Sequence, residues 1–160
     1  MILISPWARN TTDGKPSPKN YPHWEEVVRL LHEEGYKGQV VQVSCAGEPE
    51  IPGRDVFAGD FPLSEIEDML RHCKAWISVD NFFHHLAWSV GKPGVVLWGV
   101  SDPLIFGHPE NTNLLKSRGF LRKRQFGLWS QESPNPDAFV SPEEVIVKIR
   151  YFFKEAQHGA

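Results

Sequence analysis

The chain has 160 residues, of which 41% are hydrophobic and 23% are charged. That length provides one domain with a sizeable core and excludes two. The net charge of -3 offers no extended basic field, so the composition argues against non-specific nucleic-acid binding.

Short apolar runs alternate with amphipathic segments along the chain. The apolar runs predict strands over residues 1–5, 38–44, 55–57, 75–79 and 94–98. Apolar residues at helical spacing predict helices over residues 22–34, 64–73, 81–90 and 141–155. Residues 101–139 are the least regular part, and their basic stretch 116–124 predicts one further short strand.

Individual residues mark where these helices begin and end. Pro22 suits a first helical position, and Gly35 suits a C-terminal stop. Ser64 and Ser141 are predicted to cap the second and the last helix.

The alternation of strands and helices favours an α/β fold. We expect a single Rossmann-like domain of three layers, in which helices cover both faces of a mostly parallel sheet. Loops that follow parallel strands lie along one edge of the sheet, where ligands bind in such folds. The strand ends at this edge carry Ser5, Ser44, Asp80 and residues 99–102.

Cysteine content and hydropathy predict the compartment. Cys45 and Cys73 have neither the spacing of a zinc site nor the density of a disulfide framework, which indicates free thiols in a reducing environment. The apolar start at residues 1–5 is too short for a signal peptide or a membrane span, and no later run is long enough. We therefore expect a cytoplasmic protein without a membrane span.

Residues 78–87 are the most informative segment, because they lead from a buried strand directly into a helix. The first amides of a helix lack partners and its dipole favours negative charge, so a phosphate can bind there. Asp80 would cap this helix or hold a hydroxyl or ammonium of a ligand, and Asn81 is the other candidate cap. His85 lies on the side of the helix start, as a ligand contact or as a half-buried structural histidine.

A metal site at His84 and His85 is not expected, because adjacent helical residues point about 100° apart.

Loops after the first two strands supply further candidates. Arg9, Lys15 and Lys19 would neutralise a diphosphate, or they are ordinary charges of a solvated loop. Glu48 or Glu50 would accept hydrogen bonds from ribose hydroxyls. Glycine-rich phosphate motifs, a nucleophile elbow and a catalytic triad are absent from the sequence. The basic residues of 116–124 would contact nucleic acid or a phosphorylated partner, or they belong to a solvated strand or loop.

Taken in order, these segments resemble a known family. The run from Asp80 through His85-Leu86-Ala87 to Gly91-Lys92-Pro93, together with residues 19–24, 61–66 and 97–103, is similar to the C-terminal domain of glycosyltransferase family 9, the lipopolysaccharide heptosyltransferases. The resemblance covers about residues 1–115. It implies one half of a two-domain GT-B glycosyltransferase, namely the half that holds the nucleotide-sugar.

The resemblance also implies roles for individual residues. Ser5 and Lys19 would approach the diphosphate, and Glu48 (or Glu50) the nucleoside. Asp80, Asn81 and Phe82 would meet the phosphate and the sugar, with His85 nearby. The ligand would be a nucleotide-sugar such as an ADP-, UDP- or GDP-sugar, with no cofactor and no metal.

Two departures from the family pattern affect these expectations. Phe82 stands where the family has a small residue, so its ring would crowd a phosphate or stack on a ligand ring. The acceptor domain, which supplies the catalytic aspartate in the family, is absent from residues 1–160, so no catalytic residue is assigned. Because Met1 directly precedes the first strand, we expect a whole gene product, with a partner chain or homo-oligomer supplying the acceptor site.

Three functions follow as alternatives. The first is sugar transfer from a nucleotide donor together with a partner chain. The second is a non-catalytic module that binds or sequesters a nucleotide or nucleotide-sugar. The third is a structural protein that has lost its ligand, which Phe82 would favour.

Overall fold

The structure, a computed structural model, describes residues 1–154. Residues 155–160 of the predicted domain, including the expected end of the last helix at Glu155, lie outside the described residues. The strands are β1 (Ile2–Ser5), β2 (Val40–Ser44), β3 (Val56–Gly59), β4 (Ala75–Val79), β5 (Val95–Trp98) and β6 (Thr112–Leu115). The α-helices are α1 (Trp24–Glu33), α2 (Leu63–His72), α3 (Phe82–Ser89), α4 (Pro103–Phe106) and α5 (Pro142–Lys154).

All described strand pairs are parallel, in the order β3-β2-β1-β4-β5-β6. The predicted fold class is therefore confirmed. β2 and β3 lie on one side of β1, and the chain then crosses to add β4, β5 and β6 on the other side. The switch point lies between β1 and β4, which pair from Ile2 opposite Ala75 to Ser5 opposite Ser78. In open α/β sheets, such a switch point leaves a crevice at the carboxyl ends of the strands.

Helices cover both faces of the sheet because side chains alternate along each strand. Ile2 and Ile4 of β1 join the core beneath α1 and α5, whereas Leu3 joins the core beneath α2 and α3. Both faces of β1 and β4 are buried along their whole length. This rigid centre fixes the position of every loop at the crevice.

Two predicted helix starts have different outcomes. At α5, Ser141 Oγ accepts from Glu144 N at 3.3 Å and Glu144 Oε2 accepts from Ser141 N at 3.0 Å, which is a capping box. The prediction that Ser64 caps α2 is wrong, because that helix begins at Leu63 after Pro62 and has no side-chain cap.

The sixth strand lies before the basic stretch in which a strand was predicted. Thr112 pairs with Val95 of β5, and the chain then turns through a 3₁₀ turn at Arg118–Phe120. The turn forms because Ser117 caps it and Arg118 binds both carboxylate oxygens of Asp102, at 3.0 and 2.6 Å.

Further cations of the stretch 116–124 also bind within the chain. Lys116 donates to the Asp137 carbonyl at 2.8 Å, and Arg122 Nε lies 2.9 Å from a carboxylate oxygen of Glu132. These contacts favour a structural role for the cluster. Within residues 1–154, no helix combines the length and the apolar character needed to cross a bilayer.

Candidate functional site

A cavity of about 660 Å³ opens at the crevice between the carboxyl ends of β1 and β4. Its walls come from the loop after β1, the end of β2, the start of α3 and residues 127–129. This volume lies within the range of small-molecule sites, and its position follows from the topological switch.

Seven of the eight residues predicted for the site line this cavity: Ser5, Arg9, Lys19, Glu48, Asp80, Asn81 and Phe82. His85 does not line it, and its ring contacts His108 instead. The rule that strand ends meet at one sheet edge therefore brings most of the predicted residues together.

Lys19 and Asp80 form an ion pair at the centre of the cavity wall. Lys19 Nζ lies 2.8 Å from Asp80 Oδ2, and the two side chains are only 20% and 7% exposed. The other carboxylate oxygen, Oδ1, lies 3.3 Å from Nε2 of His84. Burial alone would raise the pKa of Asp80, but the hydrogen bond with His84 and the charge of Lys19, with Ser101 adding to them, hold the pKa below its usual range.

Lys19 reaches Asp80 because the loop after β1 folds back on itself. Ser17 is buried, and its Oγ accepts from the amide of Lys19 at 3.2 Å. The amide of Ala8 donates to Asn20 Oδ1 at 2.8 Å, which joins the two ends of the loop. The reading of this loop as merely solvated is thus wrong at Lys19. It does describe Lys15, which forms an exposed ion pair with Asp13.

Asn81, and not Asp80, caps α3. Its Oδ1 accepts from Phe83 N at 2.9 Å, which satisfies one amide of the first turn. Its Nδ2 lies 3.0 Å from Ser5 Oγ and 3.1 Å from the Trp7 carbonyl, and donates to both. One side chain therefore joins the helix start to the end of β1.

Of the two predicted glutamates, only Glu48 lines the cavity. Glu48 Oε2 accepts from the amide of Cys45 at 2.8 Å, which fixes the carboxylate at the end of β2. Glu50 forms an ion pair with Arg54.

The Phe82 ring lies on the cavity wall and is about half exposed. It contacts Phe83 edge-on, with ring centroids 6.4 Å apart. Its exposure shows that the ring is not part of the core. The side chain is open to a ligand.

Two tryptophans of the site were missed by the sequence analysis. The centroid of the Trp129 ring lies 4.7 Å from Lys19 Nζ and 4.5 Å from the Arg122 guanidinium carbon. The ring therefore makes cation–π contacts with both side chains. Trp7 donates from its indole to the Pro49 carbonyl at 2.8 Å, which joins the loops after β1 and β2. No periodicity marks Trp129, whereas the position of Trp7 directly after β1 was a usable signal.

The histidines of α3 also differ from expectation. The rings of His84 and His85 were expected to diverge, but their centroids lie 3.9 Å apart. His85 Nδ1 lies 2.8 Å from Nε2 of His108, which follows α4. Burial, and then the nearby His84, lower the pKa of both His85 and His108. Both shifts favour the neutral form of these rings.

This arrangement suits an anion better than it suits acid–base chemistry. The amides at the start of α3, Lys19 and the exposed Arg9 are all donors that a phosphate can use. A carboxylate that stays ionised beside a lysine is a weak base, so Asp80 is a poor candidate to remove a proton from a substrate.

Similar proteins share this fold and part of this sequence. The autotransporter heptosyltransferase Aah of Escherichia coli is 36% identical over 86 residues, which are 50% of this chain and 22% of Aah. The structure of E. coli ADP-heptose LPS heptosyltransferase II superimposes with a TM-score of 0.66 at 20% identity, covering 98% of this chain and 47% of that one.

A second solved structure is that of dodecameric, iron-containing heptosyltransferase TibC of E. coli in complex with ADP-D-beta-D-heptose. It has a TM-score of 0.58 at 18% identity and covers 90% of this chain and 36% of that one. The chain thus spans half or less of the length of these solved relatives.

The family profile of glycosyltransferase family 9 (heptosyltransferase) matches residues 1–137. That match includes β1 to β6, the loop that carries Lys19, and the start of α3. The chain belongs to glycosyltransferase family 9, the heptosyltransferase family.

Proposed function

We propose that this domain binds the nucleotide-sugar donor of a glycosyl transfer, with the diphosphate at the start of α3. The observation that carries the proposal is the buried ion pair of Lys19 and Asp80 beside the helix N-terminus, within a cavity at the switch point of the sheet. Two independent features thus lie together at this corner of the cavity: the positive end of the α3 dipole and the Lys19 ammonium from the loop after β1.

The charges of the corner suit a diphosphate. Lys19 offsets the charge of Asp80, so the carboxylate does not repel an incoming anion outright. Asn81 satisfies one of the first-turn amides, and the others lack intrahelical partners. Arg9 on the outer wall adds a second positive charge. Charge-assisted contacts of this kind are worth roughly 1.5–3 kcal/mol each.

The rest of the cavity suits a nucleoside and a sugar. One oxygen of Glu48 is held by Cys45, which leaves the other to accept from ribose hydroxyls. The exposed Phe82 ring offers a face for stacking. Because heptosyltransferase II is named for ADP-heptose and the TibC complex contains ADP-D-beta-D-heptose, an ADP-sugar is the first donor to test, ahead of UDP- and GDP-sugars.

Transfer also requires a base for the acceptor hydroxyl. Asp80 is held ionised by Lys19 and is unsuited to that role. By the family resemblance, acceptor and base belong to the other half of a GT-B enzyme. We therefore propose that this domain supplies the donor half, and that a partner chain or a second copy supplies the acceptor site. Light scattering of the purified chain distinguishes the two sources.

Thermal melting in the presence of nucleotides tests the donor site. ADP and an ADP-sugar should raise the melting temperature at concentrations that leave it unchanged with AMP, because AMP lacks the second phosphate. UDP- and GDP-sugars in parallel identify the base. A shift with AMP equal to that with ADP would contradict the placement of the diphosphate, and no shift with any nucleotide would refute the proposed function.

A further inference from the structure

Three histidines meet beside the donor cavity but outside its lining. His84 and His85 are adjacent on α3, and His108 comes from the segment between α4 and β6. One ring nitrogen of each lies within 4.8 Å of one ring nitrogen of each of the others. The three residues form what we call the histidine cluster.

His84 presents a nitrogen that the fold leaves unused. Its ring is fully buried, and Nε2 lies 3.3 Å from Asp80 Oδ1. A carboxylate only accepts, so Nε2 donates in this contact, and in the neutral ring Nδ1 then has a lone pair. Among the described residues, Nδ1 has no hydrogen-bond partner. A buried acceptor without a partner costs free energy, and a bound cation would recover it.

His85 and His108 lie near the spacing of two ligands of one ion. Nδ1 of His85 and Nε2 of His108 are 2.8 Å apart. Nitrogens bound to Zn²⁺ at about 2.0–2.1 Å lie roughly 3.3–3.4 Å from each other in tetrahedral geometry, so the two rings would separate by about half an ångström to bind one ion. Neither residue is fully buried, which leaves room for the ring adjustment that binding one ion requires.

The surroundings hold His108 in place. Trp88 stacks on its ring with a centroid distance of 4.6 Å and an interplanar angle of 6°. The backbone carbonyl of His108 accepts from the Asn111 amide at 3.1 Å and from Asn113 Nδ2 at 2.9 Å. The backbone of His108 is therefore fixed and one face of its ring is covered, which reduces the freedom lost when it binds an ion.

We propose that His84, His85 and His108 form a binding site for a divalent transition metal ion such as Zn²⁺ or Co²⁺. Imidazole nitrogens suit these ions, whereas Mg²⁺ and Ca²⁺ prefer oxygen. Three histidines leave a fourth position for water. Asp80 orients His84 from behind, in the carboxylate–histidine–metal arrangement that fixes the ring tautomer. The site does not depend on the proposed donor function.

Cobalt spectroscopy on the untagged full chain tests this site. Titration with CoCl₂ should give saturable visible absorption bands, and ZnCl₂ should abolish them. His108→Ala should weaken Co²⁺ binding at least about tenfold, the scale expected for a lost contact at a metal site. His108 is only partly buried, so this variant is expected to fold. His72→Ala is the matched control, because His72 is an exposed histidine on α2.

Circular dichroism of each variant establishes that it is folded. Equal Co²⁺ affinity in the folded His108→Ala variant and the wild type would overturn the proposal. So would the absence of saturable binding to the wild type, or a thiolate-to-cobalt charge-transfer band, which would assign the ion to a cysteine such as the exposed Cys45.

Discussion

Lys19 and Asp80 join two distant parts of the chain across the crevice, with Nζ 2.8 Å from Oδ2. Lys19 comes from the loop after β1, and Asp80 directly follows β4. The carboxylate that precedes α3 and a lysine from the loop after β1 thus form one buried ion pair. Because Asp80 also faces His84, the same carboxylate joins the donor cavity to the histidine cluster.

Replacement of Lys19 by methionine should affect both stability and ligand binding. The variant keeps the aliphatic part of the side chain but leaves the Asp80 carboxylate buried without its cation. Loss of one partner of a buried ion pair costs about 3 kcal/mol of unfolding free energy. The affinity for ADP should fall about tenfold or more, since a charge-assisted contact is lost.

Urea denaturation and calorimetric titration with ADP measure these two effects. Lys15→Met is the control, because Lys15 forms an ion pair with Asp13 on the exposed part of the same loop. This control should retain the wild-type midpoint and affinity. Equal losses in the two variants would show that the loop as a whole, and not the Lys19–Asp80 pair, is responsible.

Substitution of Asp80 by asparagine should change the pH dependence of stability. The pKa of Asp80 is lowered in the folded state, so its ionised form stabilises the fold above the unfolded-state pKa of about 4. This contribution is lost as the pH falls through the folded-state pKa, because the carboxyl then becomes protonated. The wild type should therefore exceed Asp80→Asn in unfolding free energy at pH 6 and approach it at pH 3.

Urea unfolding at a series of pH values between 3 and 6 measures the difference. A constant difference across this range would contradict the lowered pKa.

Asn81 has two roles that one conservative substitution separates. Asn81→Asp retains an oxygen that caps α3, but it cannot donate to Ser5 and Trp7. We expect a small loss of stability and a loss of ADP binding of at least tenfold, because the loop after β1 is released and a negative charge lies beside the phosphate. Asn81→Ala additionally removes the cap and should cost about 1 kcal/mol more. ADP affinity in Asn81→Asp equal to that of the wild type would show that the amide donors are not needed.

The sequence was sufficient to predict the central strands of the sheet and seven residues that line the cavity. Strands β1, β2, β4 and β5 are apolar runs bounded by polar or turn residues, so local pattern determines them. The loops after β1 and β4 meet because all parallel strands end at one edge. That rule predicts that Lys19 lies near Asp80.

Residues 101–139 could not be predicted in the same way. β6 has only intermediate burial and a short TNLL sequence, which no periodicity distinguishes from a loop. Trp129 reaches the cavity through contacts with Lys19 and Arg122, and His108 reaches α3 through its contacts with Trp88 and His85. These positions depend on tertiary contacts between distant residues, which sequence spacing does not encode.

A substitution at Phe82 shows whether its ring helps or hinders the binding of a donor. Its ring is about half exposed on the cavity wall and packs edge-on against Phe83, so it leaves the cavity open. We expect Phe82→Ala to cost little stability and to weaken ADP-sugar binding about fivefold or more, since stacking on a base contributes about 1–3 kcal/mol. Calorimetric titration of the variant measures this loss, with Phe126→Ala as an exposed aromatic control outside the cavity lining. Tighter binding by Phe82→Ala would instead mean that the ring crowds the phosphate, and that a small residue there favours the donor.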